Sequence, residues 1–105
     1  MVTIETARKL ALELPGAEER DHFGRPSFRV NKRIFSTLWV PQKRMVVGLS
    51  LIDQSVFHAF NPAVFYPVPN KWGLKGATFV ELDLVMEEIL LDALNCAYNR
   101  VLGKK

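Results

Sequence analysis

Apolar positions along the chain change period several times, and each change marks an element. Ile4, Ala7, Leu10, Ala11 and Leu14 recur at the three- and four-residue spacing of a helix face. Thr3 stands where an N-cap belongs, and Pro15-Gly16 ends the run. Glu5 and Lys9 are spaced to pair across one turn on the wet side. From Phe28 the period drops to two. Phe28 and Val30, then Phe35, Thr37 and Trp39, share one face if Asn31 and Lys32 form a two-residue hairpin loop, a register that pairs Val30 with Arg33 and Phe28 with Phe35. Pro41-Gln42-Lys43-Arg44 is a second turn, leading into the β-rich run Met45 to Leu49.

Ser50 and Asp53 form a capping-box variant opening a short helix, with Ile52, Val56, Phe57 and Phe60 as its apolar stripe and Asn61-Pro62 as its end. Phe65 to Val68 and Ala77 to Leu82 predict two further strands, joined by a loop from Pro69 to Gly76 that carries Lys71, Trp72 and Lys75. Asp83 is placed to cap a long last helix, with Glu87 and Glu88 near its positive end and Arg100, Lys104 and Lys105 near its negative end. Apolar residues nearly encircle that helix, from Leu84 to Val101, so it packs across the sheet and leaves surface for a partner. The expected class is α+β in the order α-β(3)-α-β(2)-α, an antiparallel sheet of about five strands covered by the N- and C-terminal helices.

Length and cysteine content narrow the picture. The 105 residues make one domain, long enough to bury roughly two thirds of the surface that the unfolded chain exposes. Cys96 is the single cysteine and lies in the apolar pattern of the last helix, which reads as a structural, buried thiol in a reducing compartment, the cytoplasm by default. Met1 to Glu5 has neither a basic nor an apolar leader region, and no apolar run nears the ~18 residues of a membrane span. Neither secretion nor a membrane partner is expected.

Charge is uneven. The net charge is +3, yet Arg20 to Lys75 holds nine Lys or Arg against Asp21 and Asp53, a balance of +7, while both flanking segments are net acidic. The cations therefore belong to the strands and turns, which argues for a polyanionic partner. Two groups stand out. Arg29, Lys32 and Arg33 surround the first hairpin tip, and Lys71, Trp72 and Lys75 occupy the loop between the last two strands. Arg25, Lys43 and Arg44 make a second patch. A strand over residues 33–40 is about 25 Å long at ~3.3 Å per residue, so the tip at Lys32-Arg33 and the turn at Lys43-Arg44 lie at opposite ends of the sheet. Arginines between aromatics grip phosphates and stack bases in nucleic-acid binders. The plainer reading sends the aromatics to the core and the arginines to water, and folds Trp72 over a sheet edge.

Catalytic patterns are missing. His22 and His58 are isolated, with no metal-ligand spacing, nucleophile elbow, phosphate loop or dinucleotide fingerprint, so no metal, cofactor or enzymatic activity is expected. A proton-transfer role for His22, between Asp21 and Arg25, competes with that of a structural histidine at a strand start.

The separated runs Leu14-Pro15-Gly16-Ala17-Glu18-Glu19, Asp21 through Val30, Ile34-Phe35-Ser36-Thr37-Leu38-Trp39, Phe65-Tyr66-Pro67-Val68-Pro69, and Trp72-Gly73 with Lys75-Gly76 occur in one order. On these the chain resembles the MmcQ/YjbR family of small bacterial proteins over essentially its whole length. The resemblance implies an α+β sandwich with the topology of secretion chaperones and DNA binding through a double wing of hairpins. Many members have a Gly-Gly turn where this chain has Asn31-Lys32, so the first wing tip is bulkier and more basic here. The family supplies no catalytic residue to carry over. Three classes stay open: a nucleic-acid-binding module, marked by salt-dependent DNA binding; a protein-binding or chaperone-like adaptor, marked by a homodimer or a protein partner; and a ligand binder or enzyme, marked by a deep pocket around His22.

Overall fold

Thr3 caps the first helix, α1 (Ile4–Leu12), its Oγ1 accepting the backbone N–H of Thr6 at 3.0 Å. The computed structural model describes residues 1–103; Lys104 and Lys105, expected beside the end of the last helix, lie outside the described residues. Lys9 pairs with Glu13 at 4.0 Å, one turn on, where Glu5 was expected. Both carboxylates lie within one turn of the ammonium, and an exposed pair of this kind contributes only tenths of a kcal/mol.

After Gly16 turns with φ of +77°, β1 (Glu18–His22), β2 (Arg25–Val30), β3 (Arg33–Trp39) and β4 (Arg44–Gly48) follow as a meander. Helix α2 (Leu51–Phe60), strand β5 (Phe65–Pro67), the short helix α3 (Lys71–Leu74), strand β6 (Ala77–Glu81) and helix α4 (Glu87–Leu102) complete the chain. The strands form one antiparallel sheet in the order β1-β2-β3-β4-β6-β5. The α+β class and the flanking helices are as expected. The sheet has one more strand than α-β(3)-α-β(2)-α, because β1 reads Glu-Glu-Arg-Asp-His and is almost wholly exposed. An edge strand wet on both faces has no apolar alternation to announce it, and its charges guard the edge against further pairing.

Asn31 and Lys32 both have positive φ, 51° and 65°, so the β2–β3 loop is a two-residue turn and Val30 pairs with Arg33. Beyond that pair the expected register fails. A bulge sets Arg29 opposite Ile34 and Phe28 opposite Ser36, leaving Phe35 as the extra residue. Phe28, Val30 and Phe35 remain in the core, but the parity of β3 flips after Phe35. Leu38 now enters the core with Met45, Val80 and Phe65, while Thr37 and Trp39 turn to the other face.

Helices α1 and α4 pack on the core face, where Phe35 meets Tyr98 edge-on at 5.6 Å and the Tyr98 hydroxyl donates to the carbonyl of Pro15. The last helix starts at Glu87, not at Asp83: the carbonyl of Glu81 accepts the N–H groups of Leu84 and Val85 in a turn that seats Val85 in the core. Leu84 and Met86 consequently precede α4 and are exposed, so that helix is less apolar around its girth than the sequence suggested. The apolar surplus sits on α2 instead. Its Ile52, Val56 and Phe60 face water and only Phe57 packs inward, against Phe65 at 4.8 Å. The α2 residue that is buried is Gln54.

Candidate nucleic-acid interface

The pairing register sets where the cations stand. Gly48 pairs with Ala77 and Val30 with Arg33, so the β2–β3 tip and the β5–β6 connection emerge at the same end of the sheet. Three interstrand steps separate them in the strand order, a span of about 14 Å at ~4.8 Å per step. Lys32 stands exposed on the first tip. Arg33 leans toward α4, its Nη1 donating to the carbonyl of Val101 at 3.4 Å. Arg29, on β2, donates from Nε to Ser27 Oγ at 3.2 Å and lies near Glu18 and Arg20.

The second tip is α3, where a plain loop was expected. Asn70 caps it, its Oδ1 accepting the N–H of Trp72 at 2.8 Å. A Cβ on Gly73 would lie 1.8 Å from the carbonyl oxygen of Val68, so only glycine allows this close turn. Lys71, Trp72 and Lys75 project from it; Trp72 is 60% exposed and Lys75 Nζ lies 5.7 Å from the centroid of its ring. Trp72 is therefore not a core residue.

Arg25, Lys43 and Arg44 lie at the opposite end of the sheet, as the strand length required. Arg44 is neutralised by Glu81 at 2.9 Å and lies 5.0 Å over the Phe79 ring. The Arg25 guanidinium stacks 3.7 Å over Trp39, which meets Phe79 edge-on at 4.9 Å. The Tyr66 hydroxyl donates to Glu81, and burial, then that hydrogen bond and the carboxylate's charge, push the phenol above its ordinary pKa, with Arg44 opposing. This aromatic row on the outer face escaped the sequence reading because the bulge at Phe35 reverses the parity of Trp39. Alternation in Val46 and Phe79 was the signal available for it.

Among the described residues, Arg20 and Arg44 are ion-paired and the other seven of the nine cations from Arg20 to Lys75 have no carboxylate within bridging distance. Their field is left for an external anion. Beside the second tip a groove of about 520 Å³ runs along the outer face of the sheet, floored by Ile34, Val46 and Ala77, with Trp72 and Lys75 on one side and His22, the partner of Arg25, toward the other end. Arg100, from α4, also reaches it. In the sequence His22 stands alone and Arg100 is a helix-end charge; six elements meet to form the groove, and no short motif encodes that. Phe23, at the β1–β2 tip, is 92% exposed.

Among the described residues no group of His, Cys, Asp and Glu could hold a metal ion, and no helix is long and apolar enough to cross a membrane. Cys96 is half-buried on α4, and burial, with Asp53 and Asp92 nearby, pushes its thiol up.

No family model matches the chain, and no curated protein matches it. Among solved structures it is similar to the crystal structure of Deinococcus radiodurans protein DR2400, a DUF419 domain. The TM-score is 0.76 at 21% identity, covering 100% of this chain and 91% of that one. The two share a fold.

Proposed function

We propose that this chain is an MmcQ/YjbR-like protein that binds nucleic acid without catalysis, through wing tips carrying Lys32 and Arg33 on one side and Lys71, Trp72 and Lys75 on the other. The observation that carries the reading is the pair of cationic tips at one end of the sheet, about 14 Å apart by ~4.8 Å interstrand steps, with no carboxylate bridging to them among the described residues. That span is comparable to the ~12 Å width of a nucleic-acid groove, so the tips can grip phosphates on two sides of one. Contacts of this kind position a backbone without reading bases, and binding is therefore sequence-tolerant and salt-sensitive. The separated sequence runs and the fold shared with a DUF419 domain support the family assignment. The unpaired Cys96 supports a reducing, cytoplasmic setting.

Retention of a labelled oligonucleotide at low salt and its release at high salt test this. A second reading, a protein-binding adaptor, draws on the exposed Ile52, Val56 and Phe60 of α2. Absence of any retention at low ionic strength would favour that reading.

A further inference from the structure

The groove beside the second tip has the chemistry of a pocket for one planar ring bearing a phosphate. Its volume of about 520 Å³ falls within the ~300–1,000 Å³ of small-molecule sites. Ile34, Val46 and Ala77 give it an apolar floor on the outer face of the sheet. Trp72 supplies an aromatic wall, more than half exposed although the ring is large and apolar, with no protein ring stacked on it. Lys75 and Arg100 bring cationic side chains to the rim, and His22 adds a ring nitrogen able to hydrogen-bond. None of the lining residues is a carboxylate.

The geometry points to a nucleotide subsite: the base lies against Trp72 over the apolar floor, and the phosphate meets Lys75 and Arg100. A duplex buries both faces of each base in its stack and cannot offer one to Trp72, whereas an unpaired nucleotide can. The subsite therefore selects nucleotides that are free or lie in an unpaired strand. For the strand source this rests on the nucleic-acid reading above; for the free nucleotide it does not. The α3 turn that carries Trp72 and Lys75 is held by the buried Gln54, so the wall is positioned before any ligand arrives.

The test is Trp72 fluorescence in a Trp39→Phe protein, which keeps a ring beneath Arg25, titrated with thymidine monophosphate, a single-stranded oligo-dT and a matching duplex. Quenching by the mononucleotide and the single strand, with the strand bound more tightly than the duplex, is expected. Trp72→Ala should weaken single-strand binding by about 5- to 150-fold, the equivalent of one lost stacking contact, and leave duplex binding unchanged. Trp72→Phe should restore most of the loss. If Trp72→Ala lowers the melting temperature, Trp72→Phe and Lys75→Ala carry the test instead, and Lys75→Ala must weaken mononucleotide binding without loss of stability. Equal binding of strand and duplex, with no effect of Trp72→Ala, overturns the subsite and leaves the phosphate-gripping wings intact. Quenching by the mononucleotide with no retention of any strand upholds the subsite and overturns the nucleic-acid reading. No quenching by any of the three overturns the subsite outright.

Discussion

The amide nitrogen of Gln54 lies 2.9 Å from the carbonyl oxygen of Gly73, and so ties helix α2 to the turn that presents Trp72 and Lys75. The same nitrogen is 3.2 Å from both the carbonyl of Ala77 and the hydroxyl of Thr78. Gln54→Ala strips a donor from buried acceptors and is expected to cost about 1–3 kcal/mol of stability. It should also shift Trp72 emission, because α3 loses its tether. Chemical denaturation read by fluorescence checks both, and an unchanged midpoint would contradict this role for Gln54.

Gly76 presents a harder constraint. Its φ is +113° and an added Cβ would lie 1.8 Å from the carbonyl oxygen of Leu49, a backbone atom that cannot step aside. Gly76→Ala combines that clash with strain at a left-handed position, and a loss of more than about 3 kcal/mol is expected. Thermal unfolding of the variant measures it.

The raised pKa of Tyr66 fixes the sign of an alkaline effect. The folded state holds the phenolic proton more tightly than the unfolded chain does, whose phenol titrates near pH ~10. Stability from this group is complete below that pH and is lost as pH rises from there through the higher folded-state value. Stability curves of the wild type and Tyr66→Phe, measured upward from neutral pH, should diverge in that window, with the variant falling less steeply.

Particular residues explain what was legible beforehand. Thr3, Pro15-Gly16 and Ser50 act through neighbours within one turn, so the starts of α1 and α2 and the end of α1 were readable from local sequence, as was the hairpin at Asn31-Lys32, whereas the start of α4 and the short helix α3 were not. The bulge at Phe35 was not, because it depends on Tyr98 of α4 receiving that ring from far along the chain. For α2, periodicity identified a helix but not its buried face: three acceptors at positions 73, 77 and 78 call Gln54 inward and leave Ile52 and Val56 outside. The basic tips were visible as residues. Their common end of the sheet needed the register, and the groove beside the second tip needed six elements at once.

Cys96 should be unreactive for its type. Burial, reinforced by Asp53 and Asp92, disfavours its thiolate, the reactive form. At neutral pH a thiol reagent should modify the native protein more slowly than the unfolded one, and Cys96→Ser should retain nucleic-acid binding. Rapid native-state labelling would contradict the structural role assigned to this thiol.

The most direct test of the central claim is the slope of log K against log salt for a DNA duplex, measured for the wild type and for Lys71→Ala/Lys75→Ala. Four phosphate contacts, from Lys32, Arg33, Lys71 and Lys75, predict a slope of roughly −3.6, since each contributes about −0.9 on a duplex. The double variant should flatten it to about half that value, while its melting temperature stays unchanged because exposed lysines contribute little to folding. The account is contradicted if the double variant keeps the wild-type slope, or if the wild type binds no nucleic acid at low ionic strength.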